Sequence, residues 1–290
     1  MRFILRTMLV ILIAGITGLN AGEWKLTTEL NLALTQNAYS DNWAGTELGN
    51  ITWQANSNST AEKQLSSLLL SKTSLMLAFG QTHQQYRDQL GDKRWGKPEK
   101  STDKIDLESI LLITTQSYFD PFISARWESQ FLDLSQPETR LINPHKFTEA
   151  AGLARTFIKS DAQNLSARLG GALRQQVDID RINIGGDKET VITNDGGVEF
   201  IGEYKQTLNT SVGLTSRLQL YQALFNSKSS EAGFGDDWKA LDLNWQTTLS
   251  AKLWSVVTMS LYFELKYEKQ EDTELQFKEI FGLGISYRLF

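Results

Sequence analysis

Val256-Val257-Thr258-Met259-Ser260-Leu261-Tyr262-Phe263-Glu264-Leu265-Lys266-Tyr267-Glu268-Lys269 is the stretch whose reading decides the fold. Val257, Met259, Leu261, Phe263, Leu265 and Tyr267 share one parity; Thr258, Ser260, Tyr262, Glu264, Lys266 and Glu268 share the other. Successive side chains of a strand point to opposite faces, so this period of two predicts a strand with one apolar and one polar face. Runs of this length cross the hydrocarbon of a bilayer at a tilt, where about 9–11 residues suffice, whereas soluble strands average roughly 5–6.

The same alternation extends outward from this stretch. In Trp238–Lys252, Leu241, Leu243, Trp245 and Leu249 oppose Asp242, Asn244, Gln246 and Ser250. In Asn164–Ile179, Leu165, Leu169, Leu173 and Val177 oppose Ser166, Arg168, Arg174 and Asp178. Followed along the chain, the pattern predicts about twelve strands, near 24–36, 46–59, 67–83, 102–116, 121–134, 145–159, 164–179, 195–207, 209–225, 238–251, 256–269 and 276–290. The connections at 37–45, 84–101, 135–144, 180–194 and 226–237 are long, and those between them are short. Long loops on one side, short turns on the other and an even strand number predict an all-β fold: a transmembrane antiparallel up-and-down β-barrel. Closure also removes the sheet edges that would otherwise invite aggregation. Aromatic residues fall near the predicted strand ends, as interfacial girdles would. Trp24, Phe122, Phe157, Trp254 and Tyr287 lie on the short-turn side, and Trp43, Phe147, Trp238 and Tyr267 on the long-loop side.

The polar parity then lines a lumen. It carries Asp106, Glu108, Arg126, Glu128, Arg168, Arg174, Arg217, Asp242, Glu264 and Lys266, with Lys104, Glu199, Glu203 and Lys205 beside them. A Lys or Arg at the bilayer midplane costs about 2–4 kcal/mol on the lipid face, so this charge belongs inside. Both signs are interspersed, whereas a pore selective for one sign is expected to show a ring of the opposite one. Mixed charge suits either a lumen filled by ion pairs or a narrow, weakly selective solute path.

The chain ends Phe281-Gly282-Leu283-Gly284-Ile285-Ser286-Tyr287-Arg288-Leu289-Phe290. This ending resembles the C-terminal signal read by the outer-membrane barrel assembly machinery, through Gly284, Tyr287 and Phe290. It departs in one respect, since Phe290 lies off the parity of Tyr287. Three further motifs, Ser40-Asp41-Asn42-Trp43-Ala44-Gly45, Lys104-Ile105-Asp106-Leu107 and Gln276-Phe277-Lys278-Glu279, resemble a family of uncharacterised outer-membrane β-barrels, a domain of unknown function. The resemblance implies fold and compartment, the Gram-negative cell envelope, and no mechanism.

At the other end, Arg2 and Arg6 precede an apolar run from Met8 to Leu19, followed by Asn20-Ala21-Gly22. A run this short fits the apolar core of a signal peptide better than a membrane anchor. The expected division is a signal peptide over 1–21 and a barrel domain over 22–290.

Composition agrees by exclusion. Of 290 residues, 29 are Lys or Arg and 34 Asp or Glu, giving a net charge of −5 and no basic footprint for nucleic acid. The absence of Cys removes thiolate sites and disulfides. The mean hydropathy of −0.30 rules out a bundle of membrane helices, yet it suits strands whose apolar residues alternate with polar ones.

Catalysis is not expected. Only His83 and His145 are available as bases, both read as lying in polar rim loops, and the His-x-Ser-Asn-Gly signature of the outer-membrane phospholipase is absent. Asp236-Asp237, Glu271-Asp272 and Asp178-x-Asp180 offer hard oxygen ligands for Ca²⁺, but they read first as solvated loop charge, and no cofactor or metal is expected. Gly185-Gly186-Asp187 and Asn194-Asp195-Gly196-Gly197 read as turns. The leading expectation is a porin-like, narrow channel for small hydrophilic solutes. The alternative is a closed barrel whose loops, including Tyr86–Ser101 and Arg181–Asn194, contact lipopolysaccharide, matrix or partners. A lipid-modifying enzyme comes third.

Overall fold

The computed structural model describes residues 23–40, 47–115, 117–183, 186–231 and 234–288. The apolar N-terminal run, Trp43 and Phe290 lie outside them. Twelve long strands make up the wall. They are β1 (Lys25–Asn37), β2 (Asn50–Ser66), β3 (Leu69–Arg87), β4 (Glu99–Ile113), β5 (Asp120–Ser129), β6 (His145–Lys159), β7 (Gln163–Ile182), β8 (Lys188–Thr207), β9 (Val212–Asn226), β10 (Leu241–Lys252), β11 (Val257–Tyr267) and β12 (Gln276–Arg288). Each pairs antiparallel with the next, and β12 returns to β1 with Leu32 opposite Ile285 and Ala33 opposite Gly284. The barrel is closed at that seam. Gly284 is required there because a Cβ would collide with the Leu32 carbonyl.

Register assigns the two faces. Leu30, Leu32 and Leu34 of β1 share the outward parity with Phe281, Leu283 and Ile285 of β12. Leu34 is 60 % exposed and Phe281 62 %. Contiguous apolar surface of this kind is a liability in water and the ordinary state of a strand facing hydrocarbon. Among the described residues no helix is long and apolar enough to cross a membrane; the crossing elements are strands.

Several boundaries differ from the sequence reading. β2 runs on through Thr60–Ser66, beyond the expected end near 59, and the chain reverses at Ser67-Leu68. Thr60 pairs with Ser74 and Glu62 with Lys72, so cross-strand partners carry a segment whose own alternation is weak. β8 begins at Lys188 rather than near 195, which reduces the expected 180–194 loop to a connection over 183–187. Much of Arg181–Asn194 is therefore strand, and Tyr86–Ser101 is likewise shortened by the ends of β3 and β4. The remaining connections on that side, 38–49, 88–98, 130–144, 227–240 and 268–275, are longer than 183–187. β5 stops at Ser129, and the loop after it carries a small hairpin pairing Leu132 with Leu141 and Asp133 with Arg140.

Two residues assigned to the aromatic girdles turn inward instead. Phe122 is 3 % exposed and packs with Ala150, Ala172, Tyr221 and Ala223 inside the barrel, and Trp238 packs against the same cluster from loop 227–240. Parity, not position along the strand, decides where an aromatic points: Phe122 shares the face of Ser124 and Arg126.

Candidate functional site: the barrel lumen

Alternation sends most of the charged side chains of the strands into one enclosed space, where they must satisfy one another or hold water. Across the middle of the lumen they form two neighbouring chains of ion pairs and hydrogen bonds. Arg126 of β5 donates through Nε and Nη2 to the two oxygens of Asp106 on β4, at 2.9 and 2.6 Å. Its Nη1 reaches across to Gln219 of β9 at 2.7 Å, and Gln219 Nε2 donates to Glu199 of β8 at 2.9 Å. Glu128 lies 3.0 Å from Arg126 and Lys104 lies 3.2 Å from Asp106. A second chain starts at Glu108 of β4, which pairs with Arg168 of β7 and, at 3.2 Å, with Arg217 of β9. Arg217 also pairs with Glu203, and Glu203 faces Lys72 of β3 at 3.9 Å. In this layer Lys72, Lys104, Arg126, Arg168 and Arg217 meet Asp106, Glu108, Glu128, Glu199 and Glu203, cation for anion. Glu108 and Arg126 are each 5 % exposed, so the pairs are held in low dielectric and are strong only as a satisfied set.

Six of the ten lumen candidates, Asp106, Glu108, Arg126, Glu128, Arg168 and Arg217, thus belong to these two chains. Arg174 and Asp242 sit nearer the long-loop mouth. Arg174 donates at 2.8 Å to each of Asp195 and Asp242, and its guanidinium lies 3.5 Å from the ring centroid of Tyr221. Lys266 pairs with Glu271 and lies 3.7 Å from Glu268. Lys146 beside Glu268 holds that carboxyl far below the usual range, to about 2, against the opposing effect of burial. Glu264 stands apart on the other wall, taking amide hydrogen bonds from Asn244 at 3.2 Å and Gln246 at 3.0 Å.

The lumen residues that sequence reasoning missed include Lys72, Phe122, Asp195, Gln219 and Tyr221. Gln219 and Tyr221 continue the face of Arg217, and a search for charge passes over them. Asp195, read as part of a turn, lies within β8 and pairs with Arg174.

The wall opposite the network differs in character. On β1, β3 and β12 the inward parity carries Ala33, Ala78, Gly80, Gly282 and Gly284, and on β2 it carries Thr52, Gln54, Asn56 and Asn58. Thr52 and Thr82 share a hydrogen bond of 2.9 Å, and Gln54 donates to Asn56 at 2.9 Å. Met76, on the same inward parity, is 37 % exposed, and Asn58 opposite it is exposed as well. Lys278 of β12 crosses to Thr102 of β4 at 2.9 Å and links the two walls.

Both histidines lie in strands and not in rim loops. His145 opens β6 and faces outward, its Nδ1 accepting a hydrogen bond from Trp127 Nε1 at 3.2 Å and its ring stacked between Trp127 and Phe147. His83 lies in β3 opposite Ile51. Among the acidic pairs, Asp236 meets Lys239 at 2.6 Å, Asp237 meets Lys269 at 3.0 Å, and Asp178 is taken by Arg140. Among the described residues no group of three or more carboxylate or imidazole ligands gathers. In the loop after β5, Asp133 is held below the usual carboxylate range. Its burial works against ionisation, and hydrogen bonds from Ser135 and Asn143 with the charge of Arg140 outweigh it. Of the residues resembling an assembly signal, Gly284 sits at the seam and Tyr287 faces outward opposite Leu30.

No protein-family model and no curated protein sequence matches the chain. Among solved structures it is similar to an outer membrane channel from Pseudomonas putida F1, with 12% identity, a TM-score of 0.42, and 93% of this chain and 96% of that one covered. It is also similar to the translocator domain of the autotransporter NalP from Neisseria meningitidis, with 9% identity, a TM-score of 0.37, and 98% and 94% covered. A third likeness, to OmpF of Salmonella typhi, has 8% identity, a TM-score of 0.32, and 92% and 97% covered.

Proposed function

We propose that the protein is an outer-membrane barrel that passes small hydrophilic solutes passively along the sparsely charged wall of its lumen. The observation that carries this reading is the asymmetry of the interior. The cross-lumen ion pairs gather on β4, β5 and β7–β9, while the inward parity of β1–β3 and β12 is mostly glycine, alanine, threonine and asparagine, with Glu29, Glu62, Lys72 and Lys278 spaced along it. Because the charged layer is balanced, the path is weakly selective between cations and anions. The loop side faces outward, where lipopolysaccharide and matrix are the neighbours, and the work done is passage rather than catalysis. Purified protein in planar bilayers gives discrete conductance steps on this reading, and silence at high protein load defeats it.

The second reading, a closed barrel serving as a surface scaffold, draws on the Lys278–Thr102 bridge and on the density of the charged layer. It expects a folded, heat-modifiable protein without conductance. In it, Arg126→Ala alters stability and no current.

A further inference from the structure

The hairpin in loop 130–144 and the loop-side ends of β5–β8 enclose a cleft of about 560 Å³, within the roughly 300–1,000 Å³ that holds a drug-sized group. Trp127 and His145, both on the outward parity, line it, so the cleft belongs to the lipid-facing side of the wall and not to the lumen. Ile179 and Ile182 of β7 and Ile142 of the loop extend its apolar lining, and Leu141 beside them is 72 % exposed. An apolar patch of this kind marks a surface with an apolar occupant. Its solvated edge is the ion pair of Glu138 and Lys188, 2.6 Å apart with both side chains exposed. The charges select no anion. Lys188 is taken by Glu138, Arg140 by Asp133 and Asp178, and Asp180 adds a further acid. One donor is nonetheless left over. Arg140 is 9 % exposed; its Nη1 donates to Asp178 and to the Ile179 carbonyl and its Nη2 to Asp133 and Ser135, while Nε is buried without an acceptor among the described residues. A buried donor left unpaired costs about 1–3 kcal/mol, so its place in the lining calls for an acceptor that the chain does not supply.

We propose that this cleft holds one acyl chain of a membrane lipid in the leaflet on the long-loop side. The chain lies against Trp127, Ile142, Ile179 and Ile182, and the carbonyl of its ester or amide link accepts from Arg140 Nε. A neutral carbonyl satisfies that donor without adding an anion to a site whose acids already outnumber its cations. Apolar rings and branched chains beside an exposed ion pair repeat the polarity of a lipid at the bilayer edge. The site does not depend on passage through the lumen.

Dilauroyl phosphatidylcholine serves as the probe, beside its diether analogue, which lacks the carbonyls. Bound lipid is counted by native mass spectrometry of the full chain titrated in detergent. One tightly held ester lipid per barrel is expected, bound about tenfold more tightly than the diether. Ile179→Trp, which fills the cleft, is expected to weaken that binding about tenfold with the heat-modifiable band unchanged. Ile182→Trp takes its place if that variant does not fold. Leu30→Trp, on the lipid-facing side of β1, is expected to bind as the wild type does. Association of many lipids without saturation, equal binding of ester and diether, or binding in the cleft-filling variant no weaker than in Leu30→Trp overturns the proposal.

Discussion

The two walls of one lumen are built on opposite physical terms. On β4, β5 and β7–β9 the inward side chains are long and ionised, and they complete one another across the cavity: Arg126 with Asp106 and Gln219, Glu108 with Arg168 and Arg217. On β1–β3 and β12 they are mostly short and neutral, Glu29, Glu62, Lys72 and Lys278 apart, and they bond mostly along their own wall, as Thr52 does with Thr82. An identical alternation produces both. What differs is whether a side chain is long enough to find its partner on the far side. The first wall behaves as a protein core, in which every member depends on the others; the second behaves as a wetted surface.

The comparison breaks most easily at Arg126. Arg126→Met takes the cation from Glu128 and leaves Asp106 with Lys104 alone, and is expected to destabilise the barrel by about 3–5 kcal/mol, read as a lower denaturant midpoint for loss of the heat-modifiable band. A loss under about 1 kcal/mol would show that water already shares the site. On the other wall Asn58→Ala is expected to stay within about 0.5 kcal/mol of wild type in the same assay, because its side chain is solvated. Ala78→Trp is its functional complement. It is expected to cut single-channel conductance by about half or more at little cost in stability, since a large ring then occupies the path beside β3. Unchanged conductance would move the path off this wall.

A smaller effect tests the outward face where β5 meets the start of β6. Trp127→Ala removes the ring stacked on His145 and its hydrogen bond, for an expected loss of about 0.5–1.5 kcal/mol. The weakest expected effect is pH-dependent. The Asp133 carboxyl titrates lower in the folded loop than in the unfolded chain, so its contribution is present above the unfolded value of about 3.9 and is lost as pH falls through the folded value. Limited proteolysis between Leu134 and Thr139 should accelerate in acid relative to neutral pH, and Asp133→Asn should remove that difference.

Parity carried most of what was legible beforehand. The inward face of Asp106, Glu108, Arg126 and their companions could be read from the chain because a strand's period of two admits only two assignments, and charge excludes the lipid side. Strand ends were less legible where local pattern is weak: Thr60–Ser66 and Lys188–Asn194 are extended because neighbouring strands pair with them. The girdle assignment failed at Phe122 and Trp238 because proximity to a strand end says nothing about which face a ring occupies.

By itself the sequence determined the period, the strand number and the sign of each face, since these follow from the geometry of a single strand and the cost of charge in hydrocarbon. Only the tertiary structure decided which inward residues meet. Glu108 and Arg217 are 109 residues apart, as are strands on facing arcs of a closed wall, and no local rule joins them. Closure through Gly284 and Ala33 sets the curvature, and curvature sets which side chains span the lumen and which stop at water.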